Sequence, residues 1–163
     1  MRIVQIANFY SPKSGGIKTS MIELSKQYSQ LGHECWHFVP GKKFQIRVAE
    51  FGEIVEFPSV KIPFSGGYRI ILSTKLIIKR ISQIAPDVVE LHDRLTLLSV
   101  ADWARKENIK VVVFAHEVLT KVIKAFMPIP IKINKIVRKF ISAPVKSYIA
   151  KRWMAKERQA KRR

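Results

Sequence analysis

From Arg2 to Ala115 the chain alternates short apolar runs with apolar stripes at helical spacing. The run Arg2-Ile3-Val4-Gln5-Ile6-Ala7 predicts a strand, and behind it Ile17, Met21, Ile22, Leu24, Tyr28 and Leu31 trace one face of a helix that Gly32 stops. Glu34 to Val39 predicts a second strand closed by Pro40-Gly41. Lys42 to Gly52 predicts a polar connection, and Glu53-Ile54-Val55-Glu56-Phe57 alternates as a third, half-exposed strand. Pro58, Pro63 and Gly66-Gly67 punctuate the next loop. From Tyr68 to Ile84 the residues Ile70, Ile71, Leu72, Leu76, Ile77, Ile81 and Ile84 recur at helical spacing, with Arg69, Lys75, Lys79 and Arg80 between them. This predicts a basic amphipathic helix ended by Pro86. Asp87 to His92 is a fourth strand, Leu95 to Asn108 a third helix and Lys110 to Ala115 a fifth strand. The order β-α-β-β-α-β-α-β predicts an α/β fold, a mostly parallel sheet with helices on both faces.

In such sheets ligands bind beyond the carboxyl ends of the strands, so the residues just after each strand carry the functional information. Here they are Asn8 to Lys18, His92-Asp93-Arg94 and His116-Glu117. The paired Gly15-Gly16 stands where a loop feeds a helix. Without Cβ atoms the backbone amides can approach a ligand closely, and the free N–H groups and dipole of a helix start favour an anion such as phosphate; the other reading is a βα turn using glycine for its geometry. Asp93 reads either as a site carboxylate or as the cap of the following helix. His92 reads as a site residue or as a satisfied histidine at the sheet edge. His116 and Glu117 end an apolar strand where a ligand would sit, which favours function for His116. His33 and His37 read as structural, and Cys35, in the apolar run Cys35-Trp36-His37-Phe38-Val39, as a buried thiol. No group of His, Cys, Asp and Glu has metal-ligand spacing, so no metal is expected. A dinucleotide-dependent oxidoreductase is disfavoured by the missing GxGxxG. A phosphorelay receiver is disfavoured because Ala7-Asn8 stands where an acidic pair should follow the first strand.

Charge changes the picture in the last third. Of the net +18 on 163 residues, positions 1–117 hold 16 Lys and Arg against 11 Asp and Glu, a net +5. Positions 118–163 hold 14 against the lone Glu157, a net +13. Within that segment Ile131, Ile133, Ile136, Val137, Phe140 and Ile141 form an apolar stripe, and Lys132, Lys135, Arg138 and Lys139 occupy the other faces. Two readings stand: a domain helix with a solvated basic face, or a surface that binds anionic lipid. Nucleic acid is disfavoured as a partner, because aromatics are sparse (Phe126, Phe140, Tyr148, Trp153) and no binding motif is present. No stretch is long and uncharged enough to span a bilayer, the apolar N-terminus is too short for a secretory signal, and a single cysteine suits a reducing compartment. The expected location is cytoplasmic, with peripheral contact at the inner face of the membrane.

Read together, MRIVQIANFYSPKSGG, LSKQYSQLGHE, IAPDVVELHD and KVVVFAHE resemble, in order and spacing, the N-terminal acceptor-side domain of glycosyltransferase family 4, retaining enzymes of the GT-B fold. The resemblance implies a Rossmann-like domain over residues 1–117 and a hexosyl transfer from a nucleotide sugar, which is a substrate; no cofactor is implied. It implies that Gly15 and Gly16 approach the donor diphosphate, with Lys18 as an added charge, that His116 contacts the transferred sugar, and that His92, Asp93 and Glu117 line the acceptor cleft. By the same resemblance residues 118–163 are a basic helical segment of that domain. A sixth strand and the second domain, which holds the donor, are expected beyond it. The 163 residues are therefore expected to be inactive alone, and their unfinished sheet to seek a complementing chain or to self-associate. The reading from another class is a small basic α/β protein that docks on a membrane or a partner without catalysis.

Overall fold

The computed structural model describes residues 1–10, 15–62, 65, 67–93 and 96–114. In chain order the elements are β1 (Arg2–Ile6), α1 (Gly16–Gln30), β2 (Glu34–Gly41), β3 (Gln45–Ala49), β4 (Gly52–Pro58), β5 (Val60–Lys61), β6 (Arg69–Ile70), α2 (Thr74–Ile84), β7 (Val88–Leu91), α3 (Leu98–Lys106) and β8 (Lys110–Val113). Six strands form one sheet in the order β3-β4-β2-β1-β7-β8, parallel throughout except for β3. β1 lies in the interior with Ile3 to Ile6 all buried, which is why it reads as an almost unbroken apolar run.

Two cores form because helices cover both faces. Val4, Ile6, Phe38, Val55, Phe57, Val89 and Leu91 point to one side and meet Ile77, Ile81 and Ile84 of α2 and Val100, Ala101 and Ala104 of α3. The α2 residues lie at i, i+4 and i+7, one buried stripe of an amphipathic helix. The small residues of α3 let it approach the sheet closely. Phe38 and Phe57 pack with ring centroids 5.0 Å apart, and burying side chains of this size contributes roughly 1.5–3 kcal/mol each. On the other side Ala7, Val39 and Ile54 meet Met21 of α1. α1 stops at Gly32, whose φ of +75° a residue with a Cβ would adopt only under strain.

Several boundaries differ from the sequence reading, each for a local reason. The polar connection 42–52 contains a strand, β3, which pairs antiparallel with β4 at the sheet edge and is held diagonally by an Arg47–Glu56 ion pair of 2.5 Å. An edge strand buries little, and Val48 of β3 is 85% exposed, so it carries no apolar run. Because β3 takes the edge, β4 is interior and not half-exposed; Val55 and Phe57 are buried. The second helix starts at Thr74 and not at Tyr68, since Arg69 and Ile70 pair with Lys61 and Val60 in a short hairpin. α3 starts at Leu98 and ends at Lys106, and β8 ends at Val113, both inside the ranges expected. Leu31, placed on the apolar face of α1, is 70% exposed. The stripe of α1 is completed by a polar residue, Ser25, fully buried.

Candidate functional site

From β1 the parallel order runs outward through β2 and β4 on one side and through β7 and β8 on the other. The order therefore reverses between β1 and β7, and the crevice beyond their carboxyl ends is where an open α/β sheet binds ligands. Asn8 follows β1 and is buried. Its Oδ1 accepts the Ile71 N–H at 2.8 Å and its Nδ2 donates to the Thr96 hydroxyl at 2.5 Å. The Thr96 hydroxyl in turn donates to Asp93 Oδ2, and the Thr96 amide to Asp93 Oδ1 at 3.3 Å. Asn8, Thr96 and Asp93 thus tie the ends of β1 and β7 together. Asp93 caps the turn ahead of α3 and not the helix itself, whose N-cap residue, Leu97, makes no side-chain capping bond.

His92, the residue after β7, donates its backbone N–H to Ile6 at 2.8 Å. Its ring is buried, stacks on Phe114 with centroids 4.6 Å apart and planes 5° from parallel, and brings Nε2 to 3.9 Å from Glu90 Oε2. At this end of the sheet Asn8 follows β1 and His92 and Asp93 follow β7, all three buried.

Gly15 and Gly16 begin α1 at the same edge. Gly15 has φ −82°, Gly16 lies in the helix, and neither adopts the left-handed backbone seen at Gly32, Gly52 and Gly67. A Cβ built on either would meet nothing within 4 Å. Neither backbone conformation nor packing demands glycine at these two positions. What glycine leaves there is bare amide surface at a helix start whose first turn holds no acidic side chain and includes the half-buried Lys18. His116 and Glu117, expected after the last strand, lie outside the described residues, as do Lys132, Lys135, Arg138 and Lys139.

The structure adds a row of polar residues of which the sequence reading singled out only His37, as structural. Gln5 of β1 is in register with His37 of β2 and with Glu90 of β7. All three are buried on the face that α1 covers. Gln5 Nε2 donates to Glu90 Oε2 at 2.8 Å, Tyr28 of α1 donates its hydroxyl to Glu90 Oε1 at 2.8 Å, and Ser25 donates to Gln5 Oε1 at 3.1 Å. With its hydroxyl proton committed to Gln5, Ser25 accepts from His37 Nε2–H at 2.6 Å. Burial holds His37 neutral by lowering its pKa to about 4. Burial, and then the bond to Glu90, pushes the Tyr28 phenol up to about 12. Cys35 is buried too, and burial raises its thiol, so it is not poised as a nucleophile. Among the described residues no group of three or more His, Cys, Asp or Glu could hold a metal ion, and no helix is long and apolar enough to cross a membrane.

Comparison with known proteins is consistent with this layout. Residues 14–159 match Glycosyltransferase Family 4. A GDP-mannose-dependent alpha-(1-6)-phosphatidylinositol dimannoside mannosyltransferase of Mycobacterium tuberculosis (strain ATCC 25177 / H37Ra) is 35% identical over 131 residues, covering 78% of this chain and 34% of the relative. An alpha-monoglucosyldiacylglycerol synthase of Acholeplasma laidlawii is 29% identical over 123 residues, covering 71% of this chain and 30% of the relative. The chain spans about a third of the length of the curated relatives it matches.

Proposed function

The chain belongs to glycosyltransferase family 4, and on that premise we propose that it is the acceptor-side part of an enzyme that moves a hexosyl group from a nucleotide sugar to an acceptor, with retention at the anomeric carbon. Retention requires a departing diphosphate stabilised by positive charge or amide dipoles while the acceptor hydroxyl reaches the same face of the sugar. Gly15, Gly16 and Lys18 meet the diphosphate at the start of α1. His92 and Asp93, with Glu117 beyond the described residues, face the acceptor, and His116 contacts the transferred sugar. The observation that carries this reading is the glycine pair, which the fold does not need and an approaching phosphate does. One of the relatives is named for GDP-mannose, and both names carry a lipid; a lipid-borne acceptor is the extension of this reading to the present chain. Spanning a third of such relatives, the 163 residues alone bind donor weakly and do not turn it over. The test is amide NMR of the labelled protein titrated with GDP-mannose and UDP-glucose. Shifts concentrated at Gly15, Gly16, Ile17 and Lys18 are expected; shifts absent from that turn at saturating donor, or turnover by the pure chain, overturn the assignment.

A second reading, docking on an anionic membrane, is favoured by the surface of α2. Leu72 and Leu76 are exposed beside exposed Lys75 and Lys79, and no acidic residue occurs between Glu56 and Asp87. Apolar side chains exposed among lysines are the pattern of an interfacial protein; in the sequence Lys132, Lys135, Arg138 and Lys139 add positive charge. The two readings are compatible, since a lipid acceptor brings its enzyme to a surface. Co-sedimentation with anionic but not neutral vesicles, weakening with salt and abolished by reversing the four charges at 132–139, is expected. Preference for duplex DNA at equal salt sinks it.

A further inference from the structure

Arg69 opens β6 with a charge that no carboxylate of the described residues neutralises. Its Nε donates to the Ser59 hydroxyl at 2.9 Å and, at 3.3 Å, to the Gly41 carbonyl, and its Nη2 donates to the Ser59 carbonyl. Gly41 ends β2 and Ser59 follows β4, and these strands run parallel with Gly41 opposite Pro58. The guanidinium therefore lies across the carboxyl ends of two strands. Two residues on, the Ile71 N–H donates to Asn8 Oδ1 at 2.8 Å, which carries the same segment to the end of β1. Every acceptor of Arg69 is an uncharged oxygen, and no Asp or Glu of the described residues forms an ion pair with it. Glu56, near the same end of β4, is paired with Arg47. The bonds to Ser59 use the Nε–Nη2 edge of the guanidinium. Nη1 and the second hydrogen of Nη2 are left over, and Nη1 is not among the buried atoms that lack a partner.

A second observation points the same way. Lys61 of β5 is the direct cross-strand partner of Arg69 in a hairpin of two residues a strand, and like charges set opposite one another weaken a sheet. Lys42 and Lys43, both exposed, follow Gly41 directly, and no acidic residue occurs between Glu56 and Asp87. A guanidinium held along one edge, with its end edge open beside an exposed lysine, matches the bidentate geometry of a phosphate. We propose that Arg69 and Lys61 form a phosphate site at the carboxyl edge of the sheet, and that it takes the phosphodiester of an acceptor headgroup. Arg69 supplies the fork and Lys61 a second charge, and the anion relieves their mutual repulsion. The bonds to Ser59 and Gly41 set the fork before the ligand arrives, so little side-chain freedom is lost on binding. This rests on the reading of that edge as the acceptor side, and it puts the acceptor's phosphate on elements other than the donor turn of α1.

The experiment is nitrogen-15 NMR of the full chain, reading the Arg69 Nε–Hε signal and the Lys61 and Arg69 amides while glycerophosphoinositol, a soluble phosphodiester headgroup, is titrated in. Inositol is the neutral control, inorganic phosphate the bare anion and GDP the donor-like diphosphate. The amides of Lys75 and Lys79, exposed on α2, gauge the attraction of any anion to a chain of net charge +18. Saturable shifts at Arg69 that exceed those at Lys75 and Lys79 are expected with the phosphodiester, and none with inositol. Lys61→Gln, whose side chain makes no hydrogen bond or ion pair among the described residues, should weaken binding about threefold. Arg69→Lys, which keeps the charge and loses the fork, should weaken it about tenfold or more. If Arg69→Lys does not fold, Lys61→Gln decides. Shifts at Arg69 no larger than those at Lys75 and Lys79, or an affinity unchanged in Lys61→Gln, overturn the site. Inorganic phosphate or GDP bound at Arg69 more tightly than the phosphodiester overturns its assignment to the acceptor headgroup. The donor turn is read in the same spectra with GDP-mannose: silence at Gly15 to Lys18 beside a phosphodiester response at Arg69 supports this site and overturns only the donor assignment.

Discussion

Replacing Gly16 with alanine separates a glycine kept for the fold from a glycine kept for a ligand. Gly16 is the first residue of α1, and a Cβ there meets nothing within 4 Å. Its backbone is outside the left-handed region. A glycine in a helix interior costs about 1 kcal/mol relative to alanine, chiefly through the entropy of the unfolded chain. At a helix terminus, where one side of the residue is already free, about half of that applies. Gly16→Ala should therefore raise stability by roughly 0.5 kcal/mol, or about 1–2 °C in melting temperature for a chain of this size. The same methyl projects from the turn whose amides are proposed to meet the donor diphosphate, so donor binding should weaken by about tenfold or more, equivalent to ~1.4 kcal/mol. Urea denaturation and a parallel nucleotide-sugar titration measure the two effects on one preparation. A variant destabilised by more than about 1 kcal/mol would show that the fold needs the glycine, and one that is stabilised yet binds donor unchanged would remove the phosphate from this turn.

Gly52→Ala should behave in the opposite way: with φ +130° and the new Cβ 2.3 Å from the Cys35 carbonyl oxygen, a loss of at least about 3 kcal/mol is expected in urea denaturation, and a near-neutral result would contradict the described β2–β4 geometry. Acid should weaken the fold through His37. Its folded pKa of about 4 lies below the unfolded 6.5, so the unfolded chain takes up the proton first; stability is full above pH 6.5 and falls by up to about 3 kcal/mol as pH drops from 6.5 to 4. Stability profiles with pH, beside the imidazole titration of His37, test this, and a His37 that titrates near 6.5 in the folded protein defeats it. Tyr28→Phe removes a bond to the charged Glu90 and should cost about 1.5–3 kcal/mol; a loss under 0.5 kcal/mol would mean that Glu90 draws its support elsewhere.

The parts of the fold that could be read in advance are those whose burial is decided within one segment. β1, β2 and β7 are interior to the parallel sheet, and interior parallel strands bury both faces, so they appear as apolar runs with no knowledge of their neighbours. The same holds for α2, whose stripe Ile77, Ile81 and Ile84 is set by helical period alone. β8, last in the sheet among the described residues, is an apolar run although Val112 and Val113 are 43% and 41% exposed. β3 was illegible because an edge strand is defined by its partner: Gln45-Ile46-Arg47-Val48-Ala49 is mostly exposed, and only its pairing with β4 makes it a strand. The start of α2 was misplaced because apolar residues at 70, 71 and 72 fit a helix as well as a hairpin. The pairing Val60–Ile70 is a tertiary fact.

The site divides along the same line. Gly15, Gly16, His92 and Asp93 could be picked out because strand ends in an α/β sheet converge on one edge whatever the register. Gln5, His37 and Glu90 could not, since each looks like a single polar interruption of an apolar run. Only the register Gln5↔His37 and Gln5↔Glu90 puts them side by side, and the buried Ser25 and half-buried Tyr28 of α1 complete their bonds. A signal was present, however. Three strands of a sheet predicted to be mostly parallel each carried one polar residue near the middle of an apolar run, and the helix after the first strand carried Ser25 four residues after Met21, on its apolar face. In a sheet buried on both sides a polar side chain must find a partner or cost about 1–3 kcal/mol. Polar interruptions on adjacent strands therefore imply one another, and the row His37, Gln5 and Glu90 follows once strand order is known.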